Sequence, residues 1–374
     1  MVGTFRPRRL ASAALLGALA LGLAACGGEY PNSTFNHTTD FNADIDALWD
    51  KLLFWGTVVF IGVEVALVYT IFRFRQRAGA GKPKQVHGNT ALEITWTAIP
   101  AVILIFIAIP TVRTIFKTQA KAAPDALQVE VIGHQWWWEF KYPQLGITTA
   151  NELYLPNGRT VSFQLKTIDV LHSFWIPQLG GKRDLISNRT NTLWFTPNPD
   201  LGTNAWNGFC LEYCGASHAN MKFRMFTVQP DEFASWVAHQ ARPALPHDST
   251  AASAILPVTM ASTNVATPTP ATGYVFPAAQ LPEHVVPQTP LPARLQFDDA
   301  TLAQGDAKRG ETSFMMGGCI GCHAITGNPM ALSRIGPDLT HFASRHTLGG
   351  GLFPNDDRHL ARWIKNAKAM KPGA

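Results

Sequence analysis

Charge is what this sequence has least of. Only 15% of its 374 residues are Asp, Glu, Lys or Arg, while 46% are hydrophobic. Such a composition excludes a disordered chain, and the length points to two or three domains. The net charge of +5 is not gathered on a binding face. Arg6, Arg8 and Arg9 precede the first apolar run, and Arg73, Arg75, Arg77, Lys82 and Lys84 lie between two later ones. These eight exceed the whole surplus, and residues 118–245 hold ten basic and ten acidic side chains. No nucleic-acid partner is therefore expected. Cysteine is also scarce: five thiols in the whole chain, at 26, 210, 214, 319 and 322.

What is present begins with a processing signal. The three early arginines lead into the small apolar run 10–25, which Leu23-Ala24-Ala25-Cys26 closes. The run is short for a membrane span and reads as an export signal over 1–25. Leu-Ala-Ala-Cys resembles the bacterial lipobox, which implies lipidation of Cys26; an ordinary signal with an incidental cysteine is the plainer alternative. Residues 26–48 then form an extracytoplasmic N-terminal segment.

Two longer runs, Leu52–Phe72 and Ile94–Phe116, can each cross the hydrocarbon core at about 1.5 Å per residue. The 73–92 connection has five Lys/Arg and no acid, which puts it in the cytoplasm. A transmembrane hairpin over 49–117 results, with everything after Lys117 outside. Neither run contains histidine, so a haem or copper buried in the membrane would lack such ligands from this chain. Glu64 lies within the first run and Glu93 at the cytoplasmic end of the second. An intramembrane carboxylate points to a partner subunit or a proton route, against the plainer reading of Glu93 as an interfacial charge.

Beyond the hairpin the pattern changes. Val129–Tyr142, Glu152–Leu155, Thr160–Thr167, Thr192–Thr196 and Lys222–Val228 are short, alternating and rich in Val, Thr, Phe and Trp. Pro156-Asn157-Gly158 and Pro197-Asn198-Pro199 break them. This predicts an antiparallel sandwich or barrel over 118–241, closed by a helix at Asp231–Gln240. Residues 242–295 read as a Pro/Ala/Thr-rich linker without a core of its own. A small helical domain occupies 296–374.

The cysteine spacings carry chemistry. Cys319-Ile320-Gly321-Cys322-His323 is the c-type haem attachment pattern, in which two thiols on one turn add to the vinyl groups and the histidine takes the iron. A redox Cys-x-x-Cys is the alternative, disfavoured by the adjacent His323. Small c-type domains end in a helix, Lys-Pro-Gly, two residues and Met-Pro. Trp363–Ala369 and Lys371-Pro372-Gly373 match the lead-in, and Met370 is a poor positional match for the ligand. Two readings of the distal haem ligand stay open: a chain continuing past Ala374, or a ligand of another kind. The second constellation is Cys210-x3-Cys214-x3-His218-x2-Met221, with His172 far upstream. Two cysteines and two histidines suit tetrahedral zinc. The added soft thioether of Met221 suits copper instead, two thiolates bridging two ions that each take one histidine and one weak ligand.

The run Gly208-Phe-Cys-Leu-Glu-Tyr-Cys-Gly-Ala-Ser-His-Ala-Asn-Met221 resembles the dinuclear copper (CuA) loop of cytochrome c oxidase subunit II. So do Gly133-His-Gln-Trp136-Trp137-Trp138, Asp169-Val-Leu-His172-Ser, and Glu93-Ile-Thr-Trp-Thr-Ala-Ile-Pro100-Ala, in the family's order over roughly residues 40–240. With the haem motif, the chain is similar to subunit II of the caa3-type oxidases, which carries its own cytochrome c domain. The resemblance implies a multi-domain membrane protein: a two-helix hairpin, a cupredoxin-like β-sandwich and a small all-α cytochrome c domain. It implies copper held by the side chains of His172, Cys210, Cys214, His218 and Met221 and by the Glu212 carbonyl. It further implies a Mg²⁺ or Mn²⁺ shared with subunit I through the Glu212 carboxylate, covalent haem c on Cys319, Cys322 and His323, and electron input at Trp136. Glu93 would stand at the mouth of a proton channel; Asp169 would support His172 or proton exit, and His134 would be structural.

The function implied is electron input to a proton-pumping terminal oxidase, from cytochrome c and haem c through copper to a haem in subunit I, where O₂ becomes water. Partners implied are oxidase subunit I, subunit III, cytochrome c as donor and membrane lipid. The setting implied is multi-pass in the bacterial cytoplasmic membrane, with the copper and haem domains on the periplasmic or extracellular side. A copper-bearing subunit of a nitric oxide reductase would use the same relay. A quinol-oxidase subunit is disfavoured by the copper ligands kept here, and a membrane-anchored copper-handling protein would need exchangeable sites.

Overall fold

Long apolar stretches that begin at side-chain caps form the first two helices. In α1 (Asp40–Arg73) the Thr39 hydroxyl accepts from the Asn42 N–H at the N-cap. In α2 (Thr90–Gln119) the cap is Asn89, which accepts from the Leu92 N–H, and Glu93 reaches back to accept from the Asn89 N–H at 3.3 Å. Pro100 and Pro110 interrupt the backbone ladder of α2; Thr95, Thr97 and Thr111 turn their hydroxyls back onto carbonyls four residues earlier. The helices meet where Trp55 stacks on Phe106 with centroids 5.6 Å apart. Both are long and apolar enough to cross a membrane, and their Val, Ile, Leu and Phe side chains point outward, as a lipid-facing pair requires.

The computed structural model describes residues 30–77, 87–244, 273–295 and 299–374, with Gly17, Leu21, Gly22, Gly79, Gly81 and Gln85 besides. It divides into two units, Met1–Ser33 and Thr34–Ala374. The expected signal segment 1–25 lies outside the described residues apart from Gly17, Leu21 and Gly22, and so do Cys26 and the lysines at 82 and 84.

Within the second unit the strands build two five-stranded sheets. One has the order β3-β2-β1-β5-β8, from β1 (Leu127–His134), β2 (Trp137–Tyr142), β3 (Ile147–Ala150), β5 (Val161–Thr167) and β8 (Asn191–Phe195). The other runs β4-β10-β9-β6-β7, from β4 (Glu152–Pro156), β6 (His172–Trp175), β7 (Arg183–Leu185), β9 (Asn204–Cys210) and β10 (Lys222–Val228). Alternation aims Val161, Phe163 and Leu165 of β5 inward, where Phe163 packs on Phe174 and Phe195 and Phe140 packs on Phe223. Each such buried side chain stabilises the fold by about 1.5–3 kcal/mol. The sandwich is as the pattern predicts, with three differences. The β1–β5 and β4–β10 pairs are parallel. The expected strand Val129–Tyr142 is a hairpin that turns at Gln135-Trp136. The short strands β3, β6 and β7, and the seven-residue β9 with its run of four buried residues, gave too little alternation to be read.

Helix α3 (Pro230–Gln240) closes the sandwich, with Trp236 stacked on Tyr154 at 4.8 Å. The first turn of α1 is bound into the same domain. Thr38 and Thr39 donate to the carbonyls of Gln178 and Leu179, Asn42 donates to Pro177, and Asp40 accepts from the Thr196 N–H. The described part of the expected linker, 273–295, is not free of the core: Tyr274, Phe276 and Val285 are buried with the sandwich residues. Proline spacing concealed these isolated apolar anchors.

The C-terminal part contains α4 (Ala307–Met316) and α5 (Asp357–Met370), a single turn at Asp299–Leu302, and a two-residue hairpin of β11 (Thr347–Leu348) and β12 (Phe353–Pro354). The hairpin departs from an all-α expectation; Gly349, Gly350 and Gly351, all at positive φ, form its bend, a conformation open to glycine at little cost. Its core is Leu295, Leu348, Leu352, Phe353 and Met370.

Candidate metal centre

The candidate centre forms where β6 and β9 meet. These strands pair with Phe174 opposite Cys210, so His172 at the start of β6 lies beside the end of β9. The chain then leaves β9 through a loop and returns as β10. The loop is closed at its base by the Cys210 N–H donating to the Met221 carbonyl at 3.1 Å, and tied to β6 by the Leu211 N–H donating to Ser173. Its 3₁₀ turn, His218–Asn220, ends at Met221. Five residues distant in sequence or separated by turns are thereby brought together.

The Cys210 and Cys214 sulfurs are 3.7 Å apart and unlinked. His172 Nδ1 lies 3.8 Å from Cys210 Sγ, which also lies 3.3 Å from the Glu212 carbonyl oxygen. On the other side, His218 Nδ1 is 3.7 Å and Met221 Sδ 3.8 Å from Cys214 Sγ. The donors therefore form two sets, each with one histidine and one weak ligand, meeting at the sulfur pair. One tetrahedral ion would require all its ligand atoms to fall within about 4 Å of one another. His172, Cys210 and Cys214 form a group within 4.8 Å, but His218 is not part of it. The donor set thus fits two metal ions sharing two thiolates better than one zinc.

The centre is buried: His172 and Met221 are fully enclosed. Burial, together with the neighbouring Cys210, pushes the Cys214 thiol up to about 12, so a thiophilic metal must displace its proton on binding. Burial also pushes the His172 imidazole down. Asp169 accepts from His172 Nε2 at 2.8 Å and from the Gln135 N–H at 2.7 Å. Burial opposes its ionisation, but these bonds outweigh that and hold its carboxyl below the usual range. The carboxylate fixes which histidine nitrogen faces the sulfurs, as supporting groups at metal sites do.

The three tryptophans have separate places. Trp136 is half-buried and its indole Nε1 donates to the Cys214 carbonyl at 2.9 Å. Trp137 stacks on His134 at 3.9 Å, and His134 in turn contacts buried Glu139. Trp138 is core, packed between Phe174 and Phe223 under the loop. Glu93 and Glu64 lie on the membrane helices, away from this cluster. Gln135, whose side chain also donates to the Cys214 carbonyl at 2.8 Å, escaped the sequence reading although it lies inside a quoted motif. Its polar type suggested nothing, because the contact depends on the turn between β1 and β2.

In the C-terminal part, Cys319 and Cys322 are exposed on one 3₁₀ turn. The His323 N–H donates to the Cys319 carbonyl at 3.0 Å. His323 Nδ1 lies 2.8 Å from the Pro337 carbonyl, so Nε2 is the nitrogen left to face a metal. A Cβ at Gly336 would come within 2.7 Å of the imidazole, so only glycine lets the chain pack against that ring. Met316, Met330, Leu332, Ile335 and Ile364 of the same domain are exposed apolar side chains, of the kind that a flat apolar group would cover. These residues fit covalent haem. Met370, by contrast, is buried in the small core.

Comparison with known proteins gives two family matches: the transmembrane domain of cytochrome c oxidase subunit II over residues 35–114, and the periplasmic domain of the same subunit over residues 145–228. Cytochrome c oxidase subunit 2 of Alkalihalophilus pseudofirmus is 31% identical over 337 residues, covering 87% of this chain and 80% of that protein. The Bacillus subtilis cytochrome c oxidase subunit 2 is 31% identical over 376 residues, covering 96% and 89%. Among solved structures, the periplasmic domain of subunit II of cytochrome oxidase from Bradyrhizobium japonicum has 31% identity and a TM-score of 0.30, covering 32% of this chain and 96% of its own. The chain belongs to the cytochrome c oxidase subunit II family and is a member of an oxidase complex.

Proposed function

We propose that this chain is the electron-input subunit of a proton-pumping terminal oxidase, receiving electrons from a cytochrome c donor and delivering them to oxidase subunit I. The observation that carries the reading is the pair of sulfurs 3.7 Å apart with a histidine and a weak ligand on each side. Copper held there would supply one-electron exchange with little change in bond lengths. Cys210 and Cys214 are assigned as bridges, His172 and His218 as terminal ligands, and Met221 and the Glu212 carbonyl as weak ligands. The rigid sheet behind them, with Trp138 beneath and Asp169 behind His172, keeps these donors in place whatever the charge of the site.

Covalent haem c is assigned to Cys319, Cys322 and His323, with Pro337 orienting the imidazole. Trp136 is assigned as the place where electrons come in, through its hydrogen bond to Cys214. The Glu212 carboxylate is proposed to reach a Mg²⁺ or Mn²⁺ shared with subunit I, and Glu93 to stand at a proton-channel mouth. Subunit III and membrane lipid complete the surroundings, and Cys26 is proposed as a lipid anchor. The reading sets both extracytoplasmic domains on the outer face of a bacterial cytoplasmic membrane, after a multi-pass hairpin.

The test is native mass spectrometry of the detergent-solubilised chain, with haem staining after denaturation. Two copper ions and one covalently attached haem per chain are expected, the haem lost in Cys319→Ala combined with Cys322→Ala. Zinc at the sulfur pair, or no covalent haem, overturns the corresponding part.

A further inference from the structure

Strand β4 is the edge of its sheet, yet all five of its residues are buried. An open edge would present unpaired backbone groups and charge to solvent; here the Tyr142 and Thr149 hydroxyls bond the β4 main chain, and the C-terminal domain meets the Glu152 side chain. Glu152 of β4 is 3% exposed, and its Oε1 accepts from the N–H groups of His346 at 2.6 Å and Thr347 at 3.0 Å. Its strand partner Arg224, also 3% exposed, donates from Nη2 to the Gly351 carbonyl at 3.0 Å and from Nε to Val285 at 2.8 Å. Two buried charges of the sandwich are thus satisfied by main-chain groups from beyond residue 284. Buried charges left without such partners are costly, and they select one register of contact over others.

A second contact lies at the copper loop. Lys371, at the end of α5, is 3% exposed and donates to the carbonyls of Trp136 at 2.5 Å and Gly349 at 3.0 Å. The Ser217 hydroxyl, between Cys214 and His218, donates to the Pro372 carbonyl. At Gly373 the main chain passes so close to the Trp136 ring that a Cβ would sit 2.5 Å from it.

We propose that the C-terminal domain is a fixed cover over Trp136, held by Glu152 and Arg224 of the sandwich and by its own Lys371, so that a soluble electron donor meets the haem-binding motif and not the tryptophan. The inference rests on Trp136 as the input point and deepens that reading by assigning positioning residues. Glu152 and Lys371 touch neither metal ligand nor donor; they act by setting where the 346–351 and 371–373 segments lie.

The test uses the full, copper- and haem-loaded chain in detergent. Hydrogen exchange over 346–351 is expected to be slow, to quicken at least about tenfold in Glu152→Ala, and to be largely restored in Glu152→Gln, whose amide oxygen still accepts the two N–H bonds. Copper and haem spectra unchanged across these variants show that each domain remains folded. On mixing with a soluble reduced haem protein in large excess, so that the bound haem is reduced first, the rate of copper reduction is expected to be set by transfer within the chain and independent of donor concentration, and to become dependent on it in Glu152→Ala combined with Lys371→Met. Exchange over 346–351 that is equally fast in all variants, or copper reduction in the unaltered chain that precedes haem reduction and still rises with donor concentration at that excess, overturns the proposal. A chain that binds no copper or haem but keeps the protected segment contradicts the functional reading and leaves the cover standing.

Discussion

The indole N–H of Trp136 donates to the main-chain carbonyl of Cys214 at 2.9 Å, so a partly buried aromatic ring is bonded directly to a residue of the sulfur pair. Trp136→Phe keeps a ring and removes this bond. Its net contribution to stability is about 0.5–1.5 kcal/mol, so copper content should stay intact while electron delivery to the site slows by about tenfold or more. Stopped-flow reduction followed at the copper absorption band measures this.

Asp169 bonds His172 Nε2 at 2.8 Å. Asp169→Asn removes the charge that orients the imidazole, and metal affinity should fall by roughly 10–100-fold. Titration of the loaded protein with a competing chelator gives the ratio; an unchanged affinity would mean that the sheet alone positions His172.

Trp138 lies fully buried against Phe174 and Phe223, with His172 beside it. Trp138→Ala opens a cavity beneath the loop and should cost about 3–5 kcal/mol. Thermal unfolding of the metal-loaded protein is the measurement, and a loss below about 1 kcal/mol would contradict the packing described.

How much of this was legible without coordinates differs by element. Cys210, Cys214, His218 and Met221 lie within twelve residues of one another, so their spacing alone reveals a site. His172, 38 residues upstream of Cys210, is tied to them by no such spacing, because a strand pairing brings it in. The sandwich showed through Val161, Phe163 and Leu165, whose alternation is local; the parallel β1–β5 and β4–β10 pairs join strands far apart in sequence and leave no such trace. Nothing in the sequence marks Glu152 or Arg224 as buried charges, and Lys371 stands out only as part of Lys371-Pro372-Gly373, since the partners that bury them are distant in sequence.

Burial lowers the Lys371 ammonium from 10.5 to about 7. The folded chain therefore binds fewer protons than the unfolded one between those values. The contribution of this group to stability is fully present above 10.5, decreases as pH falls, and is lost as pH passes down through about 7. The slope is at most about 1.4 kcal/mol per pH unit. Denaturant unfolding across that window should show rising stability with pH, flattened in Lys371→Met. His346 works in the opposite sense. Burial lowers its pKa, but the hydrogen bond and charge of Glu152 outweigh burial and raise it above 6.5, so its contribution is present below 6.5 and lost as pH rises through the raised value.

The most direct test of the copper assignment is electron paramagnetic resonance on the purified, metal-replete chain together with its copper count. Two copper ions per chain and a multi-line spectrum from one unpaired electron shared between them are expected, lost in Cys214→Ser. A single copper with a four-line spectrum, bound zinc, or a Cys210–Cys214 disulfide would contradict the account.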